Sequence, residues 1–242
     1  MTVEARSLSA HDLVRVSSGD VVRGCSADAS CGCATDAGCG CSADLGSGCS
    51  DVARPEWVDA ALAAGGGPWA VVRRGPAPSS WVPVGVRGLT RAQRWAALVP
   101  ADRIVEVVAP EAVPRAPSVD RIDLRPFRAV AAVARILDAE LPGRWGILGS
   151  VAFELVTGVE TARDESDLDL TVRAEQPLDH VTFSALYRRL VEAAGEVRID
   201  VQVETWAGAF ALTEWLRQGP DQQVALKTTT GPRLVLDPWS AR

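Results

Sequence analysis

The segment Asp167-Leu168-Asp169-Leu170 constrains the fold of this chain more than any other. Acidic and leucine residues alternate in it, as expected for a β-strand, whose successive side chains point to opposite faces. We therefore predict a strand over 168–172 with both carboxylates on one face, where they can share a divalent cation. Hard oxygen ligands suit Mg²⁺ (or Mn²⁺) and the transfer of phosphate-linked groups. A solvated strand face or a turn cap is the alternative explanation.

Gly149 and Ser150 stand between a predicted strand over 145–148 and a predicted helix over 151–157. A glycine at such a turn lets the backbone approach a phosphate, and the start of the helix offers N–H donors to it. The Ser150 hydroxyl can add a further contact. On their own the two residues are a weak signal, because strand-to-helix turns are rich in glycine and serine for steric reasons.

Asp200 is a further candidate, since it lies within the otherwise apolar strand predicted over 197–203. A charge among buried residues needs a partner, and a metal shared with the first two carboxylates would supply one. The alternatives are that Asp200 pairs with Arg198 or faces solvent. Glu204 is a second candidate for the third carboxylate, because it lies four residues further along the same strand face.

Composition narrows the classes of protein to which this chain can belong. It has 242 residues, of which 47% are hydrophobic, enough for a packed core. Its net charge of −6 argues against a nucleic-acid partner, because nucleic-acid binding normally depends on a basic surface. No apolar run approaches the ~18 residues of a membrane helix, and the N-terminus lacks a basic stretch leading into an apolar one. We expect a cytoplasmic protein that does not bind membranes.

Five segments differ in composition and hydrophobic periodicity. We predict an N-terminal strand segment over 1–23, a Cys/Gly-rich insertion over 24–53, a small α/β domain over 54–112, a linker over 113–120 and a catalytic domain over 121–242. The fold class is therefore α+β. The first part should contain an edge strand over 12–16, a helix from Pro55, strands over 69–73, 81–86 and 104–108, and a helix over 90–98 capped by Thr90. The catalytic domain should contain a mixed sheet flanked by helices, including amphipathic helices over 127–141 and 183–194 and final strands over 224–227 and 234–236.

Six cysteines occur between residues 25 and 49, namely Cys25, Cys31, Cys33, Cys39, Cys41 and Cys49. Their segment has no large apolar residue except Leu45, so burial cannot offset the entropy of ordering it. We interpret it as a disordered insertion. Zinc or copper(I) binding and redox cross-linking are the alternatives, although the spacing matches no zinc-finger template and disulfides are unexpected in a reducing cytoplasm.

Three segments carry the candidate site residues in a fixed order, namely Leu148-Gly149-Ser150, Asp167-Leu168-Asp169-Leu170 and Ile199-Asp200-Val201. Together they resemble the nucleotidyltransferase superfamily, whose pattern is an apolar-flanked Gly-Ser, two carboxylates two residues apart and a later apolar-flanked carboxylate. The resemblance implies a nucleotidyltransferase fold with metal ligands at Asp167, Asp169 and Asp200. It also implies that Asp200 helps to activate the attacking hydroxyl.

Further segments indicate a narrower family. They are His11-Asp12-Leu13, Trp69-Ala70-Val71-Val72-Arg73-Arg74, Val84-Gly85-Val86-Arg87-Gly88, Arg91-Ala92-Gln93-Arg94 and Val224-Ala225-Leu226-Lys227-Thr228. They resemble the phosphoribosyl-dephospho-CoA transferases of malonate decarboxylase. The resemblance implies that the chain transfers phosphoribosyl-dephospho-CoA from 2'-(5''-triphosphoribosyl)-3'-dephospho-CoA to a serine of the malonate decarboxylase acyl carrier protein, with release of pyrophosphate.

Basic residues are candidates for contacts to these partners. Lys227 and Arg173 could contact the phosphates, although a strand-end residue that reaches solvent explains Arg173 equally well. Arg87, Arg91 and Arg94 could form a basic patch for the acidic carrier protein or the CoA moiety, or simply a solvated helix face. The rival functions are an enzyme that adenylylates a small molecule or another protein, and a non-catalytic nucleotide-binding module.

Overall fold

The structure is a computed structural model, and it describes residues 8–19, 22–24, 54–90, 92–218 and 222–240. Two compact units divide the chain, Met1–Val108 and Ala109–Arg242, and each contains one six-stranded sheet. Five α-helices accompany the sheets in the described residues, so the predicted α+β class is confirmed. None of these helices combines the length and apolar character of a membrane span. The six-cysteine segment, with its predicted disorder, lies outside the described residues.

The first unit is built on an antiparallel sheet. Its elements are β1 (Leu13–Val16), β2 (Arg23–Gly24), α1 (Glu56–Ala63), β3 (Trp69–Val72), β4 (Trp81–Arg87), β5 (Arg94–Pro100) and β6 (Ile104–Val108). The strand order is β2-β5-β4-β3-β1-β6. One side of this sheet forms the core with α1, where Val84 and Val86 of the sheet belong to the same buried cluster as Val58 and Leu62 of the helix. Buried and half-exposed residues alternate along all of β4, as a strand with one covered side requires.

The strand predicted over 12–16 is present as β1, but the prediction that it forms an edge is wrong. β1 pairs with β3 on one side and with β6 on the other. Val14 and Val16 are therefore almost fully buried. Both partner strands come from much later in the chain, so the local sequence does not indicate how many neighbours the strand has.

The helix predicted over 90–98 is also wrong, because Arg94–Pro100 forms β5 and the described residues just before it form a turn. β5 pairs with β4 along its whole length, and Trp95, Ala97 and Val99 alternate on the buried side. This tertiary pairing outweighs the helical propensity of the alanines and arginines. Thr90 belongs to the turn between the two strands and caps no helix.

The second unit begins with two short 3₁₀ turns, Pro110–Ala112 and Val119–Arg121. Its helices are α2 (Arg125–Glu140), α3 (Gly149–Thr157), α4 (His180–Ala194) and α5 (Leu212–Arg217), and its strands are β7 (Trp145–Ile147), β8 (Leu168–Arg173), β9 (Ile199–Glu204), β10 (Ala209–Ala211), β11 (Val224–Thr228) and β12 (Gly231–Val235). The sheet has the order β12-β11-β10-β9-β8-β7. Of its described strand pairs, β8–β9 is parallel and the others are antiparallel. The predicted mixed sheet is thus present, while the short elements β10 and α5 have no predicted counterpart.

Strands β8 and β9 sort apolar and polar residues onto opposite sides of this sheet. Leu168, Leu170, Ile199 and Val201 are buried, and contacts of α2 with β8 and of α4 with β9 cover the sheet. Side-chain alternation sends the intervening residues to the other side. That second side carries the residues of the candidate site.

A buried ion pair fixes the loop that leads into β8. Glu154 of α3 is 6% exposed, and its carboxylate accepts a hydrogen bond from Arg121 Nε at 2.8 Å. The same carboxylate accepts the N–H groups of Thr161 at 2.9 Å and Ala162 at 2.8 Å. The hydrogen bond to Glu154 is the main cause that raises the pKa of Arg121 above its ordinary value. One carboxylate therefore joins α3, the turn before α2 and the loop after α3.

We predict that Glu154→Ala lowers the free energy of unfolding by about 3 kcal/mol, because it leaves the two buried N–H groups without their acceptor. It also removes the main partner of Arg121, which keeps only Glu160 at 3.4 Å and the Ala162 carbonyl at 2.8 Å. Urea denaturation followed by circular dichroism measures the loss. Glu140→Ala is the control, since Glu140 pairs with Arg189 at 2.6 Å on the surface, where ion pairs contribute about 1 kcal/mol or less. Equal losses in the two variants would contradict a special role for the buried pair.

Candidate active site

Asp169 and Asp200 lie side by side on the parallel strands β8 and β9. The register aligns the two residues, and aligned residues on neighbouring strands project to the same face, with the strands about 4.8 Å apart. Asp167 precedes β8 and lies two residues before Asp169, so its side chain leaves the same face. All three residues are half-buried. The structure thus brings the three predicted carboxylates onto one face of the sheet.

Arg198 is the positive charge at this acidic cluster. Its guanidinium donates a hydrogen bond to Asp200 Oδ2 and lies 3.9 Å from Asp167 Oδ2. The hydrogen bond to Asp200, followed by the negative charges of all three carboxylates, raises the pKa of Arg198 above its ordinary value. The pairing of Asp200 with Arg198 is one of the alternatives that the sequence leaves open, and the structure contains this pair.

The three carboxylates suit a hard divalent cation. Like charges at aligned positions of neighbouring strands repel each other, and a cation between them removes the repulsion. Within the part of the chain that the structure describes, no three His, Cys, Asp or Glu side chains are already drawn together as a metal site, and the counter-charge comes from Arg198. The donor types fit Mg²⁺ or Mn²⁺, and the metal assignment of Asp167, Asp169 and Asp200 stays a prediction.

Gly149 brings the turn between β7 and α3 against Asp169. Its φ of +68° lies in the left-handed region, which favours glycine, and a Cβ here would lie 2.0 Å from Asp169 Oδ2. The Leu148 N–H donates to the Asp169 carbonyl at 2.8 Å. Because α3 begins at Gly149, the start of a helix stands beside the Asp169 carboxylate, where its N–H groups can meet the phosphates of a substrate.

Ser150 is the second residue of α3 and is only 9% exposed. Its carbonyl oxygen accepts a hydrogen bond from the Thr161 hydroxyl at 2.9 Å, which ties the start of α3 to the loop that leads into β8. Ser150 therefore has a structural contact that its sequence position does not reveal. The contact of its hydroxyl with a phosphate stays a prediction.

Lys227 reaches the same face from β11. Its Nζ donates to Gln202 Oε1 at 3.2 Å, and Gln202 lies two residues after Asp200, hence on the carboxylate face. Strand β10 lies between them, with Ala209 aligned with Lys227 and Ala211 aligned with Gln202. Because these side chains are small, the long lysine side chain can cross β10. Lys227 can therefore reach toward the carboxylate face, and its contact with a phosphate stays a prediction.

Arg173 and Glu204 lie at the far end of this face. They are aligned with each other, four residues or about 13 Å along the strands from the aligned carboxylates. Glu204 accepts a hydrogen bond from Gln202 Nε2 at 2.7 Å. Arg173 Nη2 lies 3.4 Å from Glu111 Oε2, and its Nε also donates to Glu111. This ion pair secures the turn Pro110–Ala112 to the sheet, and the role of Arg173 as a phosphate contact stays a prediction.

Two residues of the site, Arg198 and Gln202, are not marked by any motif in the sequence. Each lies two residues from Asp200, so strand periodicity alone places both on its face. That periodicity is the signal by which they could be found. Arg198 supplies positive charge at the carboxylates, and Gln202 supplies the acceptor for Lys227.

Comparisons with known proteins agree on one family. A family model described as the phosphoribosyl-dephospho-CoA transferase MdcG C-terminal domain matches residues 115–238, and one described as the corresponding N-terminal domain matches residues 9–110. Proteins named phosphoribosyl-dephospho-CoA transferase from Azotobacter vinelandii, Pseudomonas syringae and Klebsiella pneumoniae are each 41% identical to this chain. The alignments cover 78%, 76% and 78% of this chain and 87%, 84% and 88% of those relatives, respectively. No solved structure is significantly similar to this chain.

We predict that Gly149→Ala destabilises the protein more than Gly143→Ala does. Both glycines have a positive φ, +68° and +69°, but a Cβ on Gly143 would meet nothing within 4 Å. Both substitutions introduce backbone strain of roughly 1–2 kcal/mol, and Gly149→Ala adds the clash with Asp169, of about 1–3 kcal/mol. Urea denaturation of both variants measures the difference in the free energy of unfolding.

Asp169→Ala provides a second background, because it removes the carboxylate that the new Cβ would meet. In a double-mutant cycle, most of the excess cost of Gly149→Ala over Gly143→Ala should disappear once residue 169 is alanine, because only the 3.2 Å contact with the Cβ of residue 169 then remains. The cycle therefore isolates the contact between the turn and the carboxylate from the strain of the turn itself. A cost that is independent of Asp169 would show that the two do not meet.

Proposed function

The chain belongs to the phosphoribosyl-dephospho-CoA transferase family, and from that premise we propose its full reaction. It transfers the phosphoribosyl-dephospho-CoA group from 2'-(5''-triphosphoribosyl)-3'-dephospho-CoA to a serine of the malonate decarboxylase acyl carrier protein and releases pyrophosphate. The family supports the transferase activity and the transferred group. The observation that carries the chemistry is the alignment of Asp169 with Asp200.

In the proposed reaction the serine Oγ attacks the α-phosphorus of the triphosphate. A new P–O bond forms to the serine, the bond from the α-phosphorus to the bridging oxygen breaks, and pyrophosphate leaves with that oxygen. The serine proton needs an acceptor, and we assign this role to Asp200. Its side chain is 42% exposed, against 21% for Asp167, so it is more accessible to a hydroxyl that arrives on another protein.

We propose that Asp167, Asp169 and Asp200 hold the divalent cation, since they offer hard oxygen donors on one face. Bound there, Mg²⁺ or Mn²⁺ would neutralise the negative charge that develops on the leaving pyrophosphate. Arg198, released from its carboxylate partners, can pair with a phosphate through its forked N–H donors. Lys227 adds a compact positive charge from the other side of β9.

We also propose that the second unit has the nucleotidyltransferase fold. A Gly-Ser turn opens α3, a pair of carboxylates stands at the beginning of β8, and the third carboxylate lies on β9, the parallel neighbour of β8. Helix α4 connects the two parallel strands, as a crossover connection requires. This order of elements supports the assignment that the sequence motifs suggest.

We predict that Asp169→Asn and Asp200→Asn each reduce transfer roughly 100-fold or more, because each removes a negative charge from the reacting centre. The measurement is incubation with apo carrier protein, magnesium and the triphosphoribosyl precursor, followed by intact mass of the carrier and assay of pyrophosphate. Glu204→Gln is the matched control, since it makes the same charge change on the same strand face about 13 Å away. It should retain most of the activity.

The same assay separates the rival functions. If the wild-type protein leaves the mass of the carrier unchanged but transfers a nucleotide from ATP to a small acceptor, the proposed reaction is wrong and an adenylylating enzyme is favoured. If it binds the precursor without releasing pyrophosphate, a non-catalytic module is favoured. Loss of transfer in Asp169→Asn and Asp200→Asn with retained binding of the precursor supports the proposal.

We predict that Arg198→Gln tightens the binding of Mn²⁺ about threefold or more in the absence of substrate, because it removes a positive charge that competes with the cation for Asp167 and Asp200. A titration in which electron paramagnetic resonance reports free Mn²⁺ measures this change. Arg188→Gln, an exposed position on α4, is the control for the loss of one positive charge elsewhere. Weaker Mn²⁺ binding in Arg198→Gln would contradict the competition.

A further inference from the structure

One side of the sheet in the first unit carries an arginine on each of five adjacent strands. They are Arg15 on β1, Arg73 directly after β3, Arg87 on β4, Arg94 on β5 and Arg23 on β2. We call these five residues the arginine face. Each is the direct sequence neighbour of a residue in the apolar core, namely Val14, Val72, Val86, Trp95 and Val22. Strand alternation therefore places the arginines on the side opposite to that core.

The strand register and one close contact also place these arginines on the same side of the sheet. Arg87 is aligned with Arg94 across β4 and β5. Gly85 lies two residues before Arg87 and so shares its side, and a Cβ built on Gly85 would lie 3.2 Å from Arg73 Cδ. The aliphatic stem of Arg73 therefore crosses β4 on the arginine face.

Aromatic rings support two of the guanidinium groups. Arg15 stacks over Trp69 with its Cζ 5.9 Å from the ring centroid, and Arg23 stacks over Trp81 at 5.7 Å. A stacked guanidinium keeps its N–H donors at its edge, where they can engage a carboxylate. Arg15 already does so, since it pairs with Glu106 at 2.8 Å. Stacking on Trp81 thus holds Arg23 in position to engage a carboxylate, while the charge of Arg15 is already paired with Glu106.

The arrangement has a cost to the folded chain. Arg87 and Arg94 are directly opposite each other, and like charges in aligned cross-strand positions are destabilising. The whole chain has a net charge of −6, so its general composition does not explain this concentration of positive charge. Arg23, Arg73 and Arg94 are exposed, so an anionic partner can reach them.

The extent of the face indicates the kind of anion. Five adjacent strands span about 19 Å across the sheet. Along the strand direction, Arg23 and Arg73 lie about 13 Å from Arg87 and Arg94. This area is too large for one phosphate group or one triphosphate to contact. The net negative charge of the chain disfavours nucleic acid. An acidic protein surface, whose carboxylates are spread over such distances, fits best.

We infer that the arginine face docks an acidic surface of the protein that accepts the prosthetic group. The inference rests on the proposed function, which requires a serine on another protein. Complementary charge across an interface speeds encounter and orients the partners. The first unit then recognises the acceptor protein, while the carboxylates of the second unit carry out the transfer.

Arg73→Glu combined with Arg94→Glu tests the inference. The KM for apo carrier protein should rise about tenfold or more, while kcat and the KM for the triphosphoribosyl precursor stay as in the wild type. Arg128→Glu combined with Arg188→Glu is the matched control, because both are exposed arginines on helices of the second unit and the change in net charge is the same. It should leave the KM for the carrier near the wild-type value.

A direct measurement of carrier binding tests the docking inference independently of the proposed reaction. Calorimetric titration of apo carrier protein, without precursor, should show an affinity that falls with salt and falls further in Arg73→Glu/Arg94→Glu but not in the control. Arg73→Gln combined with Arg94→Gln should show a smaller effect in the same direction, and it replaces the glutamate variant if that variant does not fold.

Two results would overturn the inference. One is carrier binding by the variant that equals that of the wild type, which would show that the arginine face has no part in docking. The other is a raised KM for the precursor with an unchanged KM for the carrier, which would assign the face to substrate phosphates. A wild-type protein that binds the carrier through this face but never modifies it would support the docking inference and contradict the proposed reaction.

Discussion

The parallel alignment of β8 with β9 is the constraint on which the second unit depends. It sets Asp169 and Asp200 side by side, an arrangement that repulsion makes unfavourable unless a positive charge is supplied. The neighbouring features serve this arrangement, since Arg198 supplies charge, Gly149 lets a helix start approach the carboxylates, and Glu154 fixes the loop that leads into β8. Stability alone would favour an apolar or oppositely charged pair at these aligned positions. The alignment therefore supports our proposal that these carboxylates bind a cation and the phosphates that accompany it.

Local sequence patterns predict much of this site but not its register. Alternation alone predicts that Asp167 and Asp169 share a strand face. It cannot choose between Asp200 and Glu204, which lie on one face of the same strand. The choice depends on how β8 and β9 align, and the structure aligns Asp169 with Asp200. That register belongs to the parallel pairing of two strands that are joined through α4, and no short motif records it.

Long-range strand pairing also explains why some predictions from the sequence are wrong. One of them, the helix predicted over 90–98, matters for function. Interpreted as a helix, the segment over 90–98 would turn Arg91 and Arg94 toward solvent on a helical face of their own. As strand β5 it is paired with β4, and Arg94 stands opposite Arg87, while Arg91 lies outside the described residues. The arginine face exists only because this segment is a strand. Its alanines and arginines favour a helix locally, so the pairing with β4 decides the outcome.

Each sheet has one side that forms an apolar core, and the charged residues on the two opposite sides differ in the sign of their charge. In the first unit the second side carries arginines, and in the second unit it carries the carboxylates of the candidate active site. An acceptor protein with an acidic surface would be repelled by those carboxylates, because like charges oppose approach. A separate positive surface offsets this repulsion without placing more positive charge among the carboxylates, where it would compete with a cation. In the proposed reaction, recognition of the acceptor and chemistry on the phosphate would therefore require opposite charges, and these charges lie on different sheets of the chain.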